Sequence, residues 1–75
     1  MKIVKITWVD SSSFNYGWTE RDDLPNAPLG ITTVGFLVKK TRDYYMISHS
    51  IGLSDCYNPY IIPKGCVEKI EYISN

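Results

Sequence analysis

The 75-residue chain carries eight Lys plus Arg against eight Asp plus Glu, so its formal net charge is zero. That balance argues against long nucleic acid as a partner, which ordinarily needs a clustered cationic face, and no apolar run approaches the length of a membrane span. As a single domain, residues 1–75, it buries only about 60% of its unfolded surface, so disulfides, a metal or oligomerisation are needed to support the core.

Met1 to Val9 reads as a strand, with Val4, Ile6 and Trp8 on one face and Lys2, Lys5 and Thr7 largely on the other. Asp10-Ser11-Ser12-Ser13 stops it, because short side chains that compete for backbone hydrogen bonds favour turns. The same segment has a second reading, as a polar lip that receives phosphate or base edges. Phe14 to Thr19 is aromatic and broken by Gly17, where the backbone can bend, and Trp18 is either core or a stacking surface. Thr19 is placed to cap a short helical turn, with Asp22 at the capping-box position. Its acidic residues make that turn a poor anion site. Leu24 to Gly30 holds two prolines and a glycine, which excludes helix and central strand and leaves an ordered surface loop.

The chain is organised around Ile31 to Ile51, which reads as a β-hairpin. Thr32, Val34, Phe36 and Val38 share one face of its first strand, and Ile31, Thr33, Gly35, Leu37 and Lys39 share the other. Both faces carry apolar residues, so one belongs to the core and the other packs against something else, in so short a chain another copy of itself. The charged turn Lys39 to Asp43 belongs in water. The returning strand, Asp43 to Ser50, sets Tyr45, Ile47 and His49 on one side. Tyr44, Met46, Ser48 and Ser50 fall on the other, which has the character of a site wall.

Gly52 to Cys56 is another turn, Tyr57 to Ile62 a strand, and Pro63-Lys64-Gly65 a tight or 3₁₀ turn. In the last strand, Val67 to Ile73, the apolar positions break the period of two, which predicts a bulge or twist. The whole reads as all-β: a small, five-stranded, strongly bent antiparallel sheet of the SH3-like or Sm-like barrel type, with one short helical turn. An open meander is the alternative.

The chain begins at Met1-Lys2-Ile3 without an apolar signal segment, which points to the cytoplasm, where stable disulfides are disfavoured. Cys56, Cys66 and His49 fall short of the four ligands of a closed zinc site, so the thiols are expected free and buried, with no metal or other cofactor. Ser48 and Ser50 flank His49, but strand neighbours point to opposite faces, so SHS places no nucleophile against its base. A packed or hydrogen-bonded histidine is the expectation. No enzyme is read here. With six Tyr and two Trp, the chain has more rings than so small a core can hide, which points to an interface or a pocket. Rings stack on bases at about 1–3 kcal/mol each and need little net charge to do so. Trp18, Tyr45 and Tyr57 are the candidates for stacking. Ser11, Ser12, Ser48, Asn58 and Lys64 are the candidates for phosphates or base edges.

The framework ITWVDSSS, a following GW, then TVGFLV, YYMISHSIG and IIPKGCVEKIEYI spans nearly the whole chain. It resembles a family of very small phage-encoded proteins, the anti-CBASS nucleotide sponges of Bacillus-type phages. The resemblance implies a β-rich homo-oligomer, a tetramer, in the cytoplasm of an infected bacterial host. Such a protein binds a cyclic dinucleotide such as 3'3'-cGAMP and withholds it from CBASS signalling without cleaving it. The resemblance assigns no binding residue, and those named above come from side-chain chemistry. Three other readings stay open: an SH3-like module that docks a host or virion protein, an Sm-type single-strand binder, and an enzyme that degrades the signal.

Overall fold

A computed structural model describes residues 1–10, 18, 20–23 and 29–74. The described residues form seven strands in order: β1 Ile3–Asp10, β2 Leu29–Lys40, β3 Tyr44–Ser48, β4 Ser50–Ile51, β5 Cys56–Tyr57, β6 Tyr60–Pro63 and β7 Val67–Ser74. Three-residue 3₁₀ turns occupy Arg21–Asp23 and Lys64–Cys66. Five strands form one antiparallel sheet in the order β6-β3-β2-β1-β7, and β4 pairs with β5 in a small hairpin of its own. Among the described residues no barrel closes, since β6 and β7 end the sheet without pairing to each other. Among the described residues no helix is long and apolar enough to cross a membrane.

The period-two reading of β1 holds: Val4, Ile6 and Trp8 are buried, and they stand opposite Gly35, Thr33 and Ile31 of β2. These side chains share the inner face with Tyr45 and Ile47 of β3 and Ile62 of β6. Ile31, Leu37, Cys66, Val67 and Ile70 pack against that cluster. The other face of β2 leaves Val34 exposed. Leu29 and Gly30, read from the sequence as loop, belong to β2, because their backbones continue the ladder opposite Asp10 and Val9. The rest of that loop, and Thr19 of the helical turn, lie outside the described residues.

β7 carries the irregularity its apolar spacing predicts. Trp8 pairs with Val67 and Thr7 with Lys69, so Glu68 is an extra residue; Ile73 is another, between the partners of Ile3 and Val4. The extra residue at Glu68 brings Val67 and Ile70, three positions apart, onto the core side. A bulge also occurs in β2 at Val38, between the pairs Leu37↔Ile47 and Lys39↔Met46. The hairpin turn is tightened by Thr41, whose hydroxyl accepts the N–H groups of Asp43 (3.2 Å) and Tyr44 (3.1 Å).

Two segments depart from the sequence reading. The strand expected over Asp43–Ser50 breaks at His49, which is exposed and not packed. The strand expected over Tyr57–Ile62 breaks at Asn58, the only non-glycine with positive φ (41°) among the described residues. Asn tolerates that left-handed geometry better than most residues. The second 3₁₀ turn lies against both β1 and β3, and the Lys64 N–H donates to the Asp43 carbonyl at 2.9 Å. An element that touches both neighbours of β2 requires the sheet to bend across it.

Candidate functional site

Among the described residues, two groups of candidate side chains sit at opposite ends of β6. At the β2–β3 turn, Lys39, Lys40 and Arg42 gather on one short stretch, with Asp43 the only carboxylate among them. Arg42 and Asp43 are paired at 3.7 Å and both are exposed, so the pair adds little stability and leaves Lys39 and Lys40, among the described residues, as the unpaired cations of the stretch. Lys64, half-buried on the adjoining 3₁₀ turn, holds its Nζ 5.1 Å from the centroid of the Tyr45 ring. Lys40 is the register partner of the same Tyr45. Lys64 therefore lies against the Tyr45 ring from one element, and Lys40 stands opposite Tyr45 on another. The bulge at Val38 creates this arrangement: without it Lys39 would stand opposite Tyr45, and Lys40 would turn to the other face. Lys39, Lys40 and Arg42 are cations that sequence reasoning assigned only to solvent.

At the other end of β6, Tyr57 closes the β4–β5 hairpin and is 68% exposed, followed by exposed Asn58. Ser48 anchors this hairpin. Its buried hydroxyl lies 2.8 Å from the Ser50 carbonyl and 2.6 Å from the Tyr57 carbonyl, and it accepts the Ser50 N–H at 3.3 Å. One proton serves two acceptors here, so the hydroxyl is fully committed. The hairpin borders two surface crevices of about 260 and 280 Å³, which share Ile51, Gly52, Asp55 and Cys56. Replacing Ser48 by alanine is expected to cost about 1–3 kcal/mol locally, because the carbonyls of Ser50 and Tyr57 lose their donor. Hydrogen exchange should then quicken at Cys56 and Tyr57 while the amides of β1 stay protected.

Of the eight residues proposed from sequence, Tyr57 and Asn58 come together at the hairpin, and Lys64 and Tyr45 come together at the 3₁₀ turn. Four residues of β6 part the two groups, a span of about 13 Å. Tyr45 is buried in the core and Ser48 is inside the fold, so within one chain neither offers an open face to a ligand. Trp18 is fully exposed and lines a crevice of about 460 Å³ with Glu20, Arg21 and Asp22. Ser11 and Ser12 lie outside the described residues. Cys56 and Cys66 are free and half-buried, and no cluster of His, Cys, Asp or Glu suited to a metal occurs among the described residues. No protein family matches the sequence, and comparison with curated proteins and with solved structures finds no similar chain.

Proposed function

We propose that this protein is a viral sponge: a homo-oligomer that holds a cyclic dinucleotide such as 3'3'-cGAMP between its copies, uncleaved, and so blocks CBASS signalling in the cytoplasm of an infected bacterium. The observation that supports it most is the separation of the exposed Tyr57 ring from the cations around Tyr45 by the length of β6. A compact ligand with two bases and two phosphates needs both features, and one chain presents them too far apart. A second copy can set its ring beside the first copy's cations. The crevices of about 260 and 280 Å³ are also below the roughly 300–1,000 Å³ of enclosing ligand sites, which favours a site completed by a neighbour. The larger crevice at Trp18 sets Glu20 and Asp22 against a single Arg21, a net negative lining that disfavours a dianion.

Calorimetry with a panel of cyclic dinucleotides, followed by heat release of the bound molecule, tests this. Tight binding and recovery of intact ligand are expected. Tyr57→Ala should weaken binding about tenfold, one lost stacking contact, and Lys64→Gln should both weaken it and flatten its salt dependence. Absence of binding across the panel, or recovery of a cleaved product, ends the proposal.

The strand order favours one other reading. A sheet ordered β6-β3-β2-β1-β7, its end strands joined by a 3₁₀ turn, suits a small SH3-like or Sm-like barrel, and SH3-like domains dock peptides through exposed rings. A phage interaction module of that kind would retain a host or virion protein in a pull-down and ignore nucleotides.

A further inference from the structure

β7 ends the five-stranded sheet with β1 on its inner side, and among the described residues nothing pairs with its outer edge. An open edge is a template for another strand, and charges along it usually prevent that, since copies meeting there set like charges together. β7 orders its charges to the opposite effect. Lys69 and Glu71 flank Ile70 on the outer face, with Lys69 Nζ 3.5 Å from Glu71 Oε1, and both side chains are exposed. When two identical strands pair antiparallel about a two-fold axis, the residue on the axis meets itself and its neighbours meet each other. An axis at Lys69 would set lysine against lysine, and one at Glu71 glutamate against glutamate. An axis at Ile70 sets Lys69 against the second copy's Glu71, twice.

We propose that two copies of this chain pair antiparallel through β7 with the two-fold axis at Ile70, joining their sheets into one. Three observations converge on that register. The extra residues at Glu68 and Ile73 leave Lys69 to Tyr72 as the regular stretch of the strand, and the axis falls within it. Lys5 stands opposite Glu71 on β1, so each row across the seam reads Lys5, Glu71, then the second copy's Lys69, alternating in sign. Ile70 already packs half-buried against the core, so two Ile70 side chains meeting on the inner face extend that core across the seam. This deepens the assembly part of the sponge reading and stands without the ligand.

Sedimentation equilibrium of the full chain tests it. Lys69→Glu and Glu71→Lys each place two like-charged pairs at the seam, and each is expected to weaken association roughly tenfold or more. An equimolar mixture of the two single variants sets opposite charges at both positions again, as does the double variant Lys69→Glu/Glu71→Lys in one chain. Both should recover most of the association that the single variants lose, stopping short of the parent's because Glu71→Lys also sets a lysine opposite Lys5 within its own chain. A chain that merely failed to fold could not be rescued by mixing. The proposal is overturned by a monomeric parent, by single variants that associate as the parent does, or by failure of both rescues. Nucleotide calorimetry on the same samples keeps the two claims apart: binding without the seam leaves the sponge standing, and the seam without binding leaves the pairing standing.

Discussion

Replacing Gly35 by alanine is expected to lower the melting temperature by about 10–20 °C, a loss of about 2–3 kcal/mol in a domain of this size. A β-carbon at this position would lie 2.6 Å from Ile47 Cγ2 and 2.8 Å from the Ser48 carbonyl oxygen. The first contact could be relieved by a shift of one side chain, but the second is backbone. Gly35 sits where β2 passes from pairing with β1 alone to pairing with β3 as well, which begins at Phe36. At that junction the sheet bends and the β3 main chain comes down over the β2 residue, so only a hydrogen fits. The check is thermal unfolding followed by circular dichroism. A melting point within about 2 °C of the parent, as for a typical exposed substitution, would mean that β3 does not approach so closely. Pairing Gly35→Ala with Ile47→Ala sharpens the test. The Ile47 methyl that clashes is gone, so the double variant should lose less than the sum of the two single losses.

How far the fold could be read in advance varied by element, for physical reasons. Alternation in β1 was legible because Val4, Ile6 and Trp8 are separated by residues that can face water. The irregularity in β7 was legible because Val67 and Ile70 cannot share a face without an extra residue between them. The Val38 bulge gave no such signal. Leu37 and Val38 are both apolar, so the pattern shows no break, and the consequence for Lys40 stayed hidden. The break at His49 was hidden for a different reason: the run from Tyr44 to Ser50 is continuous as a strand pattern. The chain turns there as the Ser48 hydroxyl bonds the carbonyls of Ser50 and of Tyr57, nine residues away.

The candidate site was legible in its chemistry more than in its geometry. Tyr57, Asn58 and Lys64 are on the surface or near it, as their residue types suggest. Which tyrosine of the Tyr44-Tyr45 pair enters the core depends on how β3 pairs with its neighbours, and the β3–β6 register sets the buried Tyr45 opposite Ile62. Composition alone could not make that choice. Nor could it show that the remaining ring and the cations lie at opposite ends of β6, the observation from which a site shared between copies is inferred.

The second large effect is expected at Trp8, where alanine should cost about 3–5 kcal/mol, against a total stability of about 4–11 kcal/mol for a chain of this length. Trp8 is buried on β1, yet its neighbours reach across the sheet. Its indole N–H donates to Thr33 Oγ1 at 3.0 Å, that oxygen is 2.8 Å from the Tyr60 hydroxyl, and the Trp8 and Tyr60 rings lie 6.3 Å apart at 55°. Tyr60 belongs to β6, and two strands separate β6 from β1 in the sheet order. Trp8, Thr33 and Tyr60 therefore hold the bent form of the sheet by a contact that the ladders do not make. Trp8→Phe separates the two contributions: it keeps most of the ring and loses the donor, so its cost should be nearer about 1 kcal/mol. Urea unfolding of the three chains measures the difference. If Trp8→Phe were as damaging as Trp8→Ala, the N–H and not the buried ring would hold the bend. If Trp8→Ala cost less than about 1 kcal/mol, the sheet would keep its curvature from the bulges and Gly35 alone.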